Sequence, residues 1–345
     1  MHYETLLTYI VPVLLIKIAL AASRTSPPPE AIVVRQGTTT AGEFSTVNEA
    51  LLSIPDDTSN QTLFLFPGIY FEQVHITRTG AVTASGQIYG YTLDTTSYVQ
   101  NQVAITFNAS ATSIGDDASG TLRIRKTNFS MYNMNVTNTF LGSQAVAISQ
   151  FGNQVGLYGC AFIGFQDTLY ANAGSQVYLQ GYIEGAVDFI FGSHGLAYFG
   201  GNVIAVKAPG YITANGRDSD SDPGSYVFNQ NTVILAPDAA AGTSGAFYLG
   251  RPWVVSSTVF PFKHHDSRKK MVHRVIFKNT VLEATPNPAL WSLWDGEADS
   301  VDHVTFADSN TTGSGAADLD RAEGYNISTA VGQNWESWVD MDYFV

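Results

Sequence analysis

Two short segments of the chain each place an aspartate in an apolar, aromatic setting. They are residues 164–170, which read GFQDTLY, and residues 185–192, which read GAVDFIFG. An ionised carboxylate is costly in such surroundings unless it is paired and hydrogen-bonded. Asp167 and Asp188 are therefore candidate catalytic groups, because perturbed acids cluster at functional sites.

The sequence around the two acids is repetitive. Residues 155–159 (VGLYG) resemble residues 177–181 (VYLQG) at an offset of 22, whereas Asp188 follows Asp167 at an offset of 21, which predicts a repeat that has lost one residue. A period of roughly 20 to 25 residues, rich in Val, Ile, Phe, Thr and Asn, favours a solenoid of short strands. In a parallel β-helix, residues one repeat apart stack about 4.8 Å from each other. The two carboxylates are then expected to lie side by side.

Two simpler interpretations of the acids remain. Each aspartate could be a turn residue between strands, since Asp is common in turns. A structural calcium site is the other, but calcium takes six or more oxygen ligands, usually from an Asp- and Asn-rich loop. Neither segment has that density of oxygen ligands.

The charge of the chain limits its partners. With a formal net charge of −13 over 345 residues, it is a poor candidate for nucleic-acid binding, which depends on Lys and Arg. An acidic polymer would also be repelled at long range unless the site is locally positive. Arg217 and Arg251 lie in recognisable motifs and are candidates for such a site, with Lys207 as a weaker third.

The first 22 residues predict a secretory signal peptide. Their apolar run is too short and interrupted, by Pro12 and Lys17, for a membrane span, and residues 19–21 (ALA) fit a cleavage pattern. Glu4 weakens the positive amino-terminal region, so a signal anchor remains the alternative. The prediction is a secreted, extracellular protein that has no membrane association after cleavage.

Cysteine and asparagine patterns agree with secretion. Cys160 is the single cysteine, so no internal disulfide can form, and its apolar context predicts a small core residue. Sequons for N-glycosylation begin at Asn60, Asn108, Asn128, Asn135, Asn310 and Asn326. Their number favours a glycoprotein without fixing which sites carry a glycan.

The remaining sequence predicts an all-β chain with little helix. Residues 42–51 predict a short amphipathic helix that caps the amino-terminal end of the solenoid, and the repeat is expected to end at Trp291, where a tail packs along the solenoid. Strands are predicted at residues 63–66, 103–107, 122–124, 146–148, 155–158, 177–179, 198–199 and 203–206.

Five motifs, in order, resemble those of the pectin methylesterases, and most closely the secreted fungal type. They are residues 67–72 (PGIYFE), 143–147 (SQAVA), 164–170, 185–192 and 249–253 (LGRPW). The resemblance runs from Val33 to the carboxyl terminus. It implies one domain, residues 23–345, folded as a single-stranded, right-handed parallel β-helix. It also implies a monomer that hydrolyses methyl esters of pectin with water and without a metal or cofactor.

The resemblance also implies roles for five residues. Asp188 corresponds to the family's nucleophile and Asp167 to its general acid, which later acts as the base. Arg251 is the partner of the nucleophile, and Gln144 and Gln166 are expected to stabilise the oxyanion. One aspartate must start ionised and the other protonated.

Aromatic residues near the acids match family positions that line the substrate groove. Trp253, Tyr170 and Phe191 are expected to bind sugar rings, although each could equally belong to the core, and Val187 is expected to contact substrate. Glu72 is predicted to be structural or to lie at the edge of the groove.

Residues 254–273 depart from the family pattern. About sixteen extra residues separate Trp253 from the following strand, and they include the basic cluster 263–270 (KHHDSRKK). One hypothesis is a translated intron, because residues 255–256 can be encoded by a donor-site sequence. The other is a genuine basic loop beside Arg251 that attracts polygalacturonate.

Two other functional classes remain open from the sequence. A pectate lyase or galacturonase would also act on pectin, but a lyase would require a calcium-binding acidic cluster. A catalytically inactive pectin-binding homologue is the second. Intact Asp167, Asp188 and Arg251 argue against inactivity, and the insertion is the best argument for it.

Overall fold

The chain winds into a parallel β-helix, as the repeat predicts. The computed structural model describes residues 22–77 except 56 and 58, 85–253 except 218 and 220, 272–294, 303–316 and 325–345. Within these residues successive coils add strands to three sheets in which neighbouring strands are parallel. The predicted fold class is confirmed.

We number the strands in chain order and call the three sheets the large sheet, the middle sheet and the cleft sheet. The large sheet contains β2 (Glu43–Phe44), β1 (Ile32–Val34), β3 (Gln61–Leu65), β6 (Gly86–Gly90), β9 (Phe129–Tyr132), β12 (Val155–Tyr158), β15 (Ala173–Leu179), β18 (His194–Gly200), β21 (Ser225–Asn229), β24 (Val272–Lys278) and β26 (His303–Ser309). The middle sheet contains β4 (Gly68–Phe71), β7 (Val103–Phe107), β10 (Asn135–Asn138), β13 (Ala161–Ile163), β16 (Tyr182–Gly185), β19 (Val203–Val206), β22 (Thr232–Leu235), β25 (Val281–Leu282) and β27 (Thr312–Gly313). The cleft sheet contains β5 (Val74–Ile76), β8 (Leu122–Ile124), β11 (Ile148–Gln150), β14 (Leu169–Ala171), β17 (Ile190–Gly192), β20 (Tyr211–Asn215) and β23 (Tyr248–Pro252).

The coils that carry the two acids are related by a constant offset of 21 residues. In the pairing of β12 with β15, Leu157 lies beside Tyr178 and Tyr158 beside Leu179, and β11 and β13 pair with β14 and β16 at the same offset. The predicted offset of 22 is wrong. It would place Leu157, which packs in the interior, beside Leu179, which packs on the outer face. Burial therefore sets the register.

The predicted capping helix is present as α1 (Val47–Ser53). Thr46 caps it and forms a capping box with Glu49. The carboxylate of Glu72 accepts the N–H groups of Val47 at 2.7 Å and Asn48 at 3.0 Å. Glu72 therefore satisfies donors at the start of the helix, which is the structural role expected for it.

The interior of the coil is filled by stacked side chains. Phe199, Phe228 and Phe277 come from neighbouring strands of the large sheet, and their rings stack with centroids 4.4 and 4.3 Å apart. Cys160 is buried and free, as expected of a core residue. In the part of the chain that the structure describes, no helix is long and apolar enough to cross a membrane.

The carboxyl-terminal tail begins later than predicted. The repeat does not end at Trp291, because β26 and β27 add further rungs to the large and middle sheets. Beyond them, α4 (Ile327–Val331) and the 3₁₀ turns Trp335–Ser337 and Met341–Tyr343 follow. Their apolar side chains pack on the outer face of the large sheet, so the expected packing of a tail along the solenoid is confirmed.

Two short helices precede the strand β8 of the cleft sheet. They are α2 (Ala111–Ile114) and α3 (Asp116–Ser119), separated by Gly115. The backbone N–H of Ala111 donates to the carbonyl of Gln144 at 2.8 Å. This contact holds α2 and α3 beside the ends of the strands that carry the acids.

Candidate active site

Asp167 and Asp188 occupy equivalent turns in consecutive coils. Asp167 precedes β14 and Asp188 precedes β17, and the backbones beside them pair through a parallel bridge between Gln166 and Val187. Both acids have left-handed backbones, with φ of 62° and 50°, a conformation that Asp adopts more readily than most residues. The one-repeat spacing therefore puts both carboxyls at the amino-terminal ends of two neighbouring strands of the cleft sheet.

Arg251 binds one of the two acids. From β23, its Nε donates to Asp188 Oδ1 at 2.9 Å and its Nη2 donates to Oδ2 at 2.6 Å. Asp188 is only 6% exposed. Two parallel, charge-assisted hydrogen bonds are the geometry in which an arginine holds a buried carboxylate ionised.

The two carboxyls have different electrostatic environments. Burial and the nearby charges of Asp188 and Asp116 raise the pKa of Asp167 to about 9. Burial also raises the pKa of Asp188, but the hydrogen bonds and charge of Arg251 oppose that rise. At neutral pH Asp167 is therefore the protonated member of the pair, and Asp188 is the member that has a cation to stabilise its ionised form.

The pair lies in a cleft of about 200 Å³. Carboxyl, amide, guanidinium and aromatic groups converge on it, and Asp167 and Asp188 are both buried at its base. The cleft is lined by Asp116, Gln144, Gln166, Asp167, Asp188, Phe191, Ala214, Arg251, Trp253 and Trp294.

A row of side chains on the outer face of the cleft sheet forms one wall. Strand register places Tyr170 beside Phe191, Phe191 beside Ala214 and Ala214 beside Arg251. The rings of Tyr170 and Phe191 stack at 4.4 Å, and Trp253 meets Phe191 edge-on at 5.6 Å. Because Ala214 is small, it leaves space between this aromatic group and Arg251.

Most of the sequence-predicted site residues come together here. Tyr170 lies against Phe191 rather than on the lining, and Val187 pairs with Gln166 through its backbone and is not among the lining residues. Lys207 instead pairs with Glu184 and Asp238. Arg217 donates to the carbonyl of Asp222 at 2.6 Å. Of the three candidate cations, Arg251 is the one that lines the cleft.

Three lining residues were missed by the sequence reasoning. Asp116 opens α3, and burial raises the pKa of its carboxyl. Trp294 lies in an irregular segment that follows β25. Ala214 has no chemical group that would mark it as a site residue. The available sequence signal for Asp116 was a second acid beside it, Asp117. The sequence does not show how close these acids come to Asp167 and Asp188 in the fold.

Comparisons with known proteins agree with this geometry. The family model described as Pectinesterase matches residues 30–336. A pectinesterase of Aspergillus aculeatus is 38% identical over 344 residues, covering 94% of this chain and 96% of that protein. A pectinesterase of Aspergillus niger is 37% identical over 338 residues, covering 94% and 95%. The crystal structure of the pectin methylesterase from Aspergillus niger in deglycosylated form has a TM-score of 0.81 and 34% identity, covering 93% of this chain and all of that one. The match of the family model over residues 30–336, together with these relatives, shows that the chain belongs to the pectinesterase family.

Proposed function

We propose that this protein hydrolyses the methyl esters of galacturonic acid units in pectin, releasing methanol and leaving carboxylates on the polysaccharide. The observation that carries the proposal is the pair of neighbouring buried carboxyls, one of which is bound by a bidentate arginine, while burial and neighbouring acids raise the pKa of the other to about 9. An ester can be cleaved by a carboxylate nucleophile assisted by a neighbouring acid. This reaction takes part in plant cell wall modification and pectin degradation.

Asp188 is the proposed nucleophile. Its ionised carboxylate attacks the ester carbonyl carbon and forms a tetrahedral intermediate. Arg251 orients the carboxylate through its two hydrogen bonds. Collapse of the intermediate breaks the bond to the methoxy oxygen and leaves the galacturonyl group bound to Asp188 as an anhydride.

Asp167 supplies the proton that this collapse requires. With its pKa raised to about 9, it carries a proton at neutral pH and donates it to the departing methoxy oxygen, which leaves as methanol. The resulting Asp167 carboxylate takes a proton from water. The hydroxide attacks the anhydride, regenerates ionised Asp188 and leaves a carboxylic acid on the polysaccharide, which then loses its proton to solvent.

Gln144 and Gln166 are the proposed donors to the oxyanion. Both are half-buried and line the cleft, and amide N–H groups stabilise the negative charge that develops on the carbonyl oxygen. Loss of one such donor is expected to lower kcat about 10²-fold.

The aromatic wall is the proposed surface for sugar rings. Trp253 and Phe191 line the cleft, and Tyr170 stacks on Phe191 from the neighbouring strand. Flat, apolar faces suit the C–H faces of a galacturonate chain, while the acids at the base of the cleft reach the ester.

Secretion is the remaining part of the proposal. The carbonyl of Ala22 accepts the N–H of Thr95 at 2.7 Å, and Arg24 pairs with Thr92. Cleavage after residue 21, one residue before the boundary predicted from the sequence, keeps these contacts, so we propose Ala22 as the first residue of a secreted monomer. Amino-terminal sequencing of the secreted protein tests this, and a first residue beyond Arg24 would contradict it.

Exposed sequons, the proposed glycan sites, begin at Asn60, Asn108, Asn310 and Asn326.

The predicted insertion lies mostly outside the described residues. Val272 and His273 belong to β24, so residues 254–271 are the segment at issue. We propose that about sixteen of these residues, beginning at Val255, are a translated intron. A transcript that retains these codons in the secreting cells would contradict this and would favour the basic loop.

Methanol release from highly methylated pectin tests the function, with the full chain compared with a version that lacks residues 254–271. Methanol from either form supports an esterase. Shorter or unsaturated chains without methanol would point to a galacturonase or a lyase. No product from either folded form would indicate an inactive homologue.

A further inference from the structure

The guanidinium of Arg251 packs against two aromatic rings. Its central carbon is 4.1 Å from the centre of the Tyr211 ring and 4.1 Å from the centre of the Trp294 ring. The same group donates the two hydrogen bonds to Asp188. A planar guanidinium can make both kinds of contact, because rings bind its faces and a carboxylate binds its edge.

Tyr211 is also tied to the turn that carries Asp188. Its backbone N–H donates to the carbonyl of Ala186 at 3.0 Å, and its carbonyl accepts the N–H of Phe189 at 3.4 Å. These bonds fall on the two sides of Asp188. The Tyr211 ring in turn packs on the Tyr248 ring, with centroids 5.5 Å apart and planes inclined by 20°.

Trp294 contacts the guanidinium from a separate segment. That segment is fixed beside Arg251 by a bridge between Gly250 and Trp291 and by a hydrogen bond of 3.0 Å from Ser292 N–H to the Gly250 carbonyl. Trp294 lines the cleft, whereas Tyr211 is not among the lining residues. The two rings therefore differ in their access to substrate.

We propose that Tyr211 and Trp294 are positioning residues that clamp the guanidinium of Arg251, so that both of its donors stay on the carboxylate of Asp188. The proposal rests on the esterase function described above. An arginine side chain has many rotamers, and ordering it is entropically costly. Two ring contacts restrict those rotamers before substrate arrives, which keeps the nucleophile ionised and oriented.

The ring of Tyr211 can be tested apart from its backbone. Tyr211→Phe keeps the aromatic face, Tyr211→Leu keeps apolar volume without that face, and Tyr211→Ala removes both. On methylated pectin, Tyr211→Leu and Tyr211→Ala are expected to lower kcat about tenfold, with KM nearly unchanged because Tyr211 does not line the cleft. Tyr211→Phe is expected to retain most of the activity. Trp294→Ala should also raise KM.

The clamp also predicts a change in pH dependence. Arg251 opposes the rise in the pKa of Asp188, while Asp167 and Asp116 face it from the neighbouring coil and from α3. A loosened Arg251 therefore raises the pKa of Asp188. Because the nucleophile must be ionised, the acid limb of kcat/KM moves to higher pH in Tyr211→Leu but not in Tyr211→Phe.

The matched control is Tyr98→Ala. Tyr98 is also half-buried and packs on another tyrosine ring, that of Tyr182, at 5.1 Å, but it does not line the cleft. Its loss is expected to leave kcat and the acid limb unchanged. A tenfold fall in this control would mean that the effects at Tyr211 are not specific to the clamp.

Two outcomes separate the clamp from the function. If wild type releases methanol and Tyr211→Leu has the same kcat as Tyr211→Phe, apolar volume at this position is sufficient and the clamp is wrong. If wild type releases none, the esterase proposal fails, and the carboxyl pKa of Asp188, followed by ¹³C NMR, still decides the clamp. A higher pKa in Tyr211→Leu than in Tyr211→Phe supports the clamp, and equal values overturn it.

Discussion

The outer faces of the large sheet and the cleft sheet carry similar aromatic rows but are covered differently. On the large sheet, Tyr89, Tyr132 and Tyr158 stack at 4.6 and 4.8 Å. The tail covers them through Tyr343, and the guanidinium of Arg24 lies 4.4 Å from the centre of the Tyr89 ring. Tyr158 is fully buried as a result.

On the cleft sheet the corresponding row borders the cleft, which we call its open face, although Phe191 itself is only 2% exposed. Tyr170 and Phe191 stack as closely, and an arginine again lies on aromatic rings, but no tail covers this row within the described residues. Here the arginine also binds a carboxylate, Asp188. The same ladder geometry therefore stabilises the fold where it is covered and leaves a reactive cleft where it is open.

The comparison predicts that the largest effect on chemistry comes from the nucleophile. Asp188→Asn is expected to lower kcat at least about 10⁴-fold while the protein stays folded, because an amide cannot form the acyl intermediate. Methanol release and circular dichroism check this. Asp238→Asn, on an exposed acid that pairs with Lys207, is the control and should keep wild-type turnover. A residual rate within tenfold of wild type would exclude Asp188 as nucleophile.

Asp167→Asn is expected to lower kcat and to raise the free energy of unfolding at pH 7. Loss of the general acid should lower kcat about 10²- to 10⁴-fold. The raised pKa means that the folded state binds a proton that the unfolded chain releases, so stability falls as pH rises from about 4 to about 9. Asparagine removes that dependence, and the variant should be more stable at pH 7 by on the order of 2 kcal/mol.

Urea unfolding of both proteins at pH 4 and pH 7 measures this change. The expected result is a larger gain at pH 7 than at pH 4. Equal gains at the two pH values would show that Asp167 is ionised in the folded protein and would remove it as the proton donor.

A matched pair of tyrosines tests the comparison directly. Tyr158→Ala on the covered face is expected to lower the free energy of unfolding by about 3 kcal/mol, because it opens a cavity under the tail. Its kcat/KM should not change. Tyr170→Ala on the open face is expected to weaken the support of Phe191 and to affect kcat/KM more than stability. If both variants lose only stability, the two faces do not differ in function.

The smallest predicted effect concerns Asp116. Its charge helps to raise the pKa of Asp167, so Asp116→Asn lowers that pKa. The general acid must be protonated, and activity is therefore expected to fall at a lower pH on the alkaline side. A kcat profile from pH 6 to pH 10 measures the shift, with Asp117→Asn as the neighbouring control, since Asp117 instead pairs with Arg123 and Arg125. An unmoved alkaline limb would separate Asp116 from the general acid.

Much of the fold and the candidate site follows from local sequence. The repeat and the β-rich composition predicted the parallel coil, and acids inside apolar runs indicated Asp167 and Asp188 because burial of such groups is costly without a role. The amphipathic pattern of residues 42–51 predicted the helix that begins at Val47, and the motif at residues 67–72 indicated a structural or groove-edge role for Glu72. The register did not follow, since residues 155–159 resemble the wrong partner and only inward or outward burial distinguishes the two offsets.

Long-range relations do not follow from local sequence, and only the family resemblance indicated Arg251 as the partner of the nucleophile. Arg251 is 63 residues from Asp188 in the chain, yet coiling brings its fork onto that carboxylate. Trp294 and Tyr211 carry no local sign of a site, and the adjacent acids at 116 and 117 do not show where Asp116 will lie, because these positions depend on how many residues each coil contains. The sequence by itself determined which groups could react. The structure decided which of them meet, because coiling places residues that are separated by whole repeats next to each other on neighbouring strands.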